Sequence, residues 1–263
     1  MQSDSLHGIP ETMLQTLYAR ARESMKPNRH FYDEKAVEIF RSLDYDFSRA
    51  EQDPAMYTGV VARTLVLDRL VRRFLDSHPN TVVINIACGL DTRCCRMKGR
   101  FRRWYNLDLP EVIEIRRRFF DEDGPVFQIG MSAMELAWTA EIQQEDEPVL
   151  VIIEGLSMYL QQSDVQQIFR ILDLRFAHAT VLCEVMSPFA VRRVKEKSIE
   201  GSGARFTWGV RSGEALAALL PGWQSLGDHS LTEGMKVLMP VYRLLDQLPP
   251  VRNISNKIVV LEK

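Results

Sequence analysis

The stretch Val82-Val83-Ile84-Asn85-Ile86-Ala87-Cys88-Gly89-Leu90-Asp91-Thr92-Arg93 constrains the fold more than any other part of this chain. A short run of Val and Ile has the length and side-chain type of a strand buried on both faces. Ala87-Cys88-Gly89 then supplies residues small enough for a sharp turn. Asp108 follows nineteen residues after Gly89. A strand, a turn where ligand can approach backbone, and a distant carboxylate make up the unit with which doubly wound sheets hold a ribose. Buried strands ended by glycine turns occur in any parallel sheet, so the rest of the chain has to decide between the two readings.

From Thr81 onward, short apolar segments alternate with helical ones, which predicts a parallel, doubly wound α/β sheet. Strands are expected at 81–87, 104–107, 126–129, 149–153 and 180–185, and β-rich stretches at 223–228 and 257–261 would bring the count to seven. Before Thr81 the pattern is helical: 11–25 and 34–40, broken by Lys26-Pro27-Asn28, then a longer helix over 55–75 entered through Asp53-Pro54. No repeat, low-complexity tract or Gly/Ser-rich linker divides the chain, and 263 residues suit one compact α/β unit.

Composition narrows the function classes. A formal charge of −2 lacks the net basic face that nucleic acid or an anionic membrane requires, so neither is expected as a partner. No apolar stretch reaches membrane-spanning length, and the N-terminus lacks the basic and apolar regions of a signal peptide, which predicts a cytoplasmic protein. The four cysteines have no zinc spacing, and the adjacent Cys94 and Cys95 do not readily pair, so all are expected to be reduced and structural. The basic run Arg93, Arg96, Lys98, Arg100, Arg102 and Arg103 is expected to cover a solvated helix and loop. No histidine lies in a metal or nucleophile motif.

Three segments carry a resemblance: Asn85-Ile-Ala-Cys-Gly-Leu-Asp-Thr-Arg93, Tyr105-Asn-Leu-Asp-Leu-Pro-Glu-Val-Ile113 and Ile153-Glu-Gly-Leu-Ser-Met-Tyr-Leu160. Together they resemble the leucine carboxyl methyltransferase family of S-adenosylmethionine-dependent enzymes, and within it the bacterial polyketide O-methyltransferases of the tetracenomycin type. The resemblance runs from about Thr12 to the C-terminus. It implies a seven-stranded, Rossmann-like sheet with an antiparallel last strand, an N-terminal helical cap over 1–80, and an S-adenosylmethionine-binding core over 81–263. It also implies a small-molecule methyl acceptor and a monomer or homodimer.

The residues that could carry this chemistry each have a plain structural reading as well. S-adenosylmethionine has no phosphate, so Ala87 and Gly89 would give close backbone approach to its amino-acid end. Asp108, before Leu109-Pro110, could cap the next helix; the resemblance makes it the ribose ligand, with Leu109 beside it. Asp91 is read as a helix cap away from ligand. Arg63 sits in the stripe Val60, Leu67, Leu70 and Phe74 and needs an anion, which could be an internal carboxylate. By resemblance the anion is the cofactor's carboxylate. Arg20, with Arg22 as its rival, is the basic residue that the family's cap lays over that same carboxylate; for both, a solvated face is the other reading.

Glu154 ends an apolar strand directly before Gly155, at the crevice position of a parallel sheet. The resemblance sets it against the cofactor's ammonium. Met158 and Tyr159 would fall on the methyl-acceptor side, or simply pack. Ser132 and Ala133, in the loop after the third strand, would meet the adenine.

The resembled enzymes make methyl esters, and a carboxylate, with a pKa of about 4, is already ionised at neutral pH, whereas a phenol near about 10 needs a base. Carboxyl methylation is therefore expected over phenol methylation. A nicotinamide-dependent oxidoreductase would need the three spaced glycines that are absent here, and a non-catalytic cofactor-binding module is the other reading. Residues 186–208, with Gly201-Ser-Gly203 and the basic Arg192, Arg193 and Arg205, are expected to wall the acceptor pocket and to include a mobile lid between Ser198 and Arg205.

Overall fold

A computed structural model of the chain describes residues 11–121, 124–193, 205–248, 251 and 254–263. Seven strands form one sheet: β1 Val82–Ile86, β2 Arg103–Asp108, β3 Val126–Gly130, β4 Val149–Ile153, β5 Thr180–Val185, β6 Gln224–Ser230 and β7 Lys257–Glu262. All seven expected strands are present, with ends displaced by at most two residues. Their order is β3-β2-β1-β4-β5-β7-β6. Strands β1 to β5 run parallel, and β7 is antiparallel to both of its neighbours. Every residue of β1, β4 and β5 is buried, as continuous apolar runs demand when helices cover both faces. The outermost strand, β6, carries the polar sequence Gln-Ser-Leu-Gly-Asp-His-Ser that an edge tolerates.

The helices are α1 Glu11–Ser24, α2 Glu34–Ser42, α3 Ser48–Glu51, α4 Pro54–Ser77, α5 Arg93–Arg96, α6 Pro110–Arg116, α7 Gln162–Arg175, α8 Pro188–Arg193, α9 Gly213–Ala217, α10 Thr232–Leu238 and α11 Tyr242–Leu245. Helix α4 starts where its sequence says it should. Asp53 Oδ1 accepts from the Met56 amide at 2.9 Å, and Pro54 takes the first position, which needs no N–H. Its Val66, Leu67, Leu70, Val71 and Leu75 pack on Val83, Trp104, Leu150, Ile152 and Leu182 of the sheet. On the opposite face α7 buries Val165, Ile168, Phe169 and Leu172 against Ile84, Ile86, Val151 and Val181. Each such side chain contributes about 1.5–3 kcal/mol of burial.

Strand β1 lies between β2 and β4, so the chain winds outward from it on one side and then crosses to wind outward on the other. A crevice opens where the order reverses, beyond the carboxyl ends of β1 and β4. Helix α1 lies over this point: the Met13 side chain comes to 3.4 Å from where a Cβ on Gly89 would sit. Among the described residues no helix is long and apolar enough to cross a membrane, and no group of His, Cys, Asp or Glu is placed to hold a metal. All four cysteines are free. Of the expected lid between Ser198 and Arg205, only Arg205 lies within the described residues.

Candidate functional site

The turn after β1 is held in an uncommon backbone shape. Ala87 has φ +54° and Gly89 φ +47°. Glycine takes this left-handed region freely, whereas an alanine there costs about 1–2 kcal/mol. An alanine tolerated in that shape at the mouth of the crevice points to a requirement for backbone approach. The turn is fixed from two sides. Asp108 Oδ2 accepts the Gly89 amide at 2.8 Å, and Arg116 Nη1 donates to the carbonyls of Gly89 and Asp91 at 2.9 and 2.7 Å. The other carboxylate oxygen of Asp108 accepts the Leu109 amide at 2.8 Å, which is the capping role the sequence allowed. Burial pushes the Asp108 carboxyl above its ordinary range, and the two amides oppose it.

Behind the turn lies a buried ionic cluster. Arg93, 1% exposed, reaches Asp68 at 2.7 Å through Nε, Asp91 at 2.7 Å through Nη1 and Glu154 at 2.9 Å through Nη2. Arg96 bridges Asp68 at 2.7 Å and Asp33 at 2.5 Å. Arg20 reaches Asp33 at 3.2 Å and donates to the Leu90 carbonyl at 2.7 Å. Arg63 meets Glu154 at 2.6 Å through Nε and Glu184 at 3.1 Å through Nη1. These contacts link four guanidiniums to five carboxylates, so no member is a lone buried charge. Burial alone would raise the Asp91 and Glu154 carboxyls; Arg93 is the strongest influence pulling both below the usual range.

A cavity of about 190 Å³ opens in front of this cluster. Eight of the residues singled out in the sequence line it: Arg20, Arg63, Ala87, Gly89, Glu154, Gly155, Met158 and Tyr159. Asp108 is joined to it through the Gly89 amide. Leu109, Ser132 and Ala133 lie off the cavity, at the ends of β2 and β3; Leu109 is exposed, and Ser132 Oγ accepts the Met134 amide at 3.2 Å. Of the rivals Arg20 and Arg22, Arg20 is buried at the cavity and Arg22 is exposed. The three segments expected to wall the acceptor pocket also contribute to the cavity lining, through Met158, Tyr159, Met13, Gln15, Met186 and Phe206. Tyr159 and Phe206 rings are 5.3 Å apart, and the Thr207 amide donates to the Met158 carbonyl at 2.8 Å.

Three expectations need correction. Arg93 and Arg96 do not belong to a solvated surface run; they are buried at the centre of the ionic cluster, because α4 and the α1–α2 connection bring Asp68 and Asp33 against them. Asp91 is not remote from the cavity but lines it, bonded to Asn85 Nδ2 at 2.9 Å as well as to Arg93. Arg63 has the internal carboxylates of the plainer reading, and those carboxylates are themselves cavity walls. The sequence reading also passed over Glu184, buried at the end of β5. The signal was available: an acid closing an apolar strand, the same pattern that drew attention to Glu154.

Comparison with known proteins bears on the family and the fold. The family model described as leucine carboxyl methyltransferase matches residues 13–173. The tetracenomycin polyketide synthesis O-methyltransferase of Streptomyces glaucescens is 32% identical over 255 residues, covering 94% of this chain and 94% of its own. An S-adenosyl-L-methionine-dependent methyltransferase of Gibberella zeae is 32% identical over 240 residues, covering 83% and 80%. Among solved structures, a candidate methyltransferase of Thermobifida fusca superposes with a TM-score of 0.59 at 11% identity, covering 98% of this chain and 96% of its own. The magnesium protoporphyrin IX methyltransferase of Synechocystis, with bound S-adenosylhomocysteine, gives 0.53 at 9% identity over 87% and 92%. At such identities these two likenesses speak for the fold.

Proposed function

Since the chain belongs to the leucine carboxyl methyltransferase family, we propose that it is an S-adenosylmethionine-dependent O-methyltransferase that esterifies the carboxylate of a small organic acid. The residues present suit the cofactor. Its amino-acid end carries an ammonium and a carboxylate, and the cavity offers Glu154 for the first and Arg63 and Arg20 for the second. The left-handed turn at Ala87 and Gly89 admits backbone approach. Asp108, which ends β2 and is anchored to that turn, is the residue proposed to accept the ribose diol, and its strand-end position in a doubly wound sheet supports the reading. S-adenosylmethionine, when bound, would supply a methyl group activated by its bond to a positively charged sulfur, with the neutral thioether S-adenosylhomocysteine as the leaving group when that methyl passes to the acceptor oxygen.

The protein's part is to bind, orient and dehydrate the acceptor. Holding two reactants in a near-attack arrangement supplies up to about 7–11 kcal/mol. The apolar end of the cavity, with Met158, Tyr159, Met186 and Phe206, strips water from an oxygen nucleophile and raises its reactivity.

One observation carries the choice of carboxylate over phenol. Among the described residues no histidine and no lysine lines the cavity, and its three carboxylates, Asp91, Glu154 and Glu184, are engaged by arginines. A phenol, with a pKa near about 10, would need one of them as a base, whereas a carboxylic acid arrives ionised. The test is a screen of organic acids and phenols with a methyl-labelled donor, followed by mild alkali. Label released as methanol identifies an ester. Label that survives alkali as an ether overturns the carboxyl assignment while leaving the methyl transfer intact.

A further inference from the structure

Glu184, in the wall of the cavity, accepts hydrogen bonds on both carboxylate oxygens and on its backbone carbonyl. Its Oε2 accepts from Arg63 Nη1 at 3.1 Å and from the Gly155 amide at 2.9 Å, and its Oε1 accepts from Asn256 Nδ2 at 3.2 Å. Its backbone carbonyl accepts from the Ser157 hydroxyl at 2.5 Å. The side chain is 1% exposed yet forms part of the cavity wall. Four donors from three places thus meet on one residue: helix α4, the turn after β4, and the segment entering β7.

The turn it grips is the one that changes direction at Gly155, φ +65°, and then presents Met158 and Tyr159 to the cavity. That turn in turn holds the next wall, because Met158 O and Leu160 O accept from Thr207, adjacent to Phe206. Arg63, on the other side of Glu184, pairs with Glu154 on the cofactor side. A buried carboxylate with this set of partners fixes two halves of the site in one relative position. Packing alone would not require an acid here, and β5 is otherwise closed by apolar residues.

Resting on the methyltransferase reading, we infer that Glu184 is a positioning residue that brackets Arg63 on the cofactor side to the Gly155–Tyr159 turn on the acceptor side. It acts through those groups and makes no claim on the reacting atoms. Its charge orients the guanidinium, its Oε2 and its carbonyl fix the turn, and its Oε1 ties in Asn256 from the segment entering β7.

The test separates these parts. In ligand-free protein, Glu184→Ala deprives the Gly155 amide of its acceptor, so hydrogen exchange at Gly155 should accelerate by about tenfold or more, while β1 core amides such as Ile84 stay protected. Glu184→Gln keeps the volume and an acceptor oxygen, and Asn256 can turn its amide to receive from the new NH2, so this variant removes the charge alone. S-adenosylhomocysteine affinity measured by calorimetry should weaken by about tenfold or more. Asn256→Asp added to Glu184→Gln returns a carboxylate to the same hydrogen bond and should recover most of that loss, which a merely structural role would not produce. Unchanged exchange at Gly155 in Glu184→Ala, wild-type affinity in Glu184→Gln, or a loss that the double variant leaves in place would each overturn the bracket. The exchange arm needs no ligand. Wild-type protein that fails to bind S-adenosylhomocysteine, with exchange behaving as expected, would therefore sink the assigned activity and leave the bracket standing.

Discussion

Arg93→Met is the most severe single test of how this site is held. Methionine keeps an unbranched apolar stem in the place of a side chain that is 1% exposed, and removes three ion pairs at 2.7, 2.7 and 2.9 Å. Adding three buried pairs would overstate the cost, because each carboxylate keeps another donor. Asp68 retains Arg96 at 2.7 and 2.9 Å, Glu154 retains Arg63 at 2.6 Å, and Asp91 retains Asn85 Nδ2 at 2.9 Å and a backbone amide at 3.0 Å. The expected loss is that of one broken buried pair, about 3–5 kcal/mol. Set against a typical stability of about 5–15 kcal/mol, that loss leaves the variant folded over all but the lowest part of the range.

The pH dependence gives the refutation its edge. Although burial opposes it, Arg93 holds the Asp91 and Glu154 carboxyls below their ordinary range. A carboxylate depressed in the folded state contributes stability above its unfolded pKa, about 3.9 for Asp and 4.3 for Glu, and that contribution disappears as pH falls through the folded value. The gap between wild type and Arg93→Met should therefore be full at pH 7 and narrow below about pH 4. Urea unfolding at both pH values measures it. A gap under about 1 kcal/mol at pH 7, or one that stays constant with pH, would refute the view that this cluster supports the turn.

Arg63→Met strands Glu154 and Glu184 in part. It should cost about 2–3 kcal/mol in urea unfolding, discounted because Arg63 is 16% exposed, and should also weaken S-adenosylhomocysteine in calorimetry; full stability with lost affinity would restore the cofactor-only reading. Asp108→Ala should fold and lower S-adenosylhomocysteine affinity by about 1.5–3 kcal/mol, and unchanged affinity would confine Asp108 to holding Gly89 and Leu109. S-adenosylhomocysteine at a hundredfold excess over its dissociation constant should stabilise the protein by about 2.7 kcal/mol, and a thermal shift with NAD in its place would contradict the assigned cofactor. Gly155→Ala forces a side chain into φ +65° and should lower the melting temperature by an amount equivalent to about 1–2 kcal/mol; no change would mean that the turn relaxes.

The strands were legible because a sheet buried on both faces leaves a signature that needs no tertiary knowledge. β1, β4 and β5 are uninterrupted apolar runs, and their ends fell within a residue or so of expectation. Helix α4 announced itself through Asp53-Pro54, and the structure shows both parts of that signal in use. The short α3 and α5, four residues each, gave no such notice, since one turn of helix has no period to read and is decided by what surrounds it. The strand order with its antiparallel β7 came from resemblance, because periodicity carries no information about which strands become neighbours.

The ionic cluster shows where reading one residue at a time fails. Arg63 drew attention because a charge on an apolar helical stripe needs a counter-ion. Asp68 lies on the buried side of the same helix with Val61 and Thr64, at steps of three and four, and poses the same demand with the opposite sign. Taken together, two such residues on one helix require cations and anions from elsewhere in the chain, and one dense source of cations just past a predicted strand end is the run that begins at Arg93. Composition alone assigns that run to solvent and cannot separate Arg93 and Arg96 from Arg100 and Arg102. The helical spacing of three between Arg93 and Arg96 puts both guanidiniums on one side of α5, and Gly99, in a left-handed conformation, ends any helix before Arg100 and Arg102. Buried acids should therefore be matched against basic residues at helical spacing before any basic run is given to the surface. Applied here, that rule pairs Asp68 with Arg93 and Arg96, the two arginines that the structure places on it.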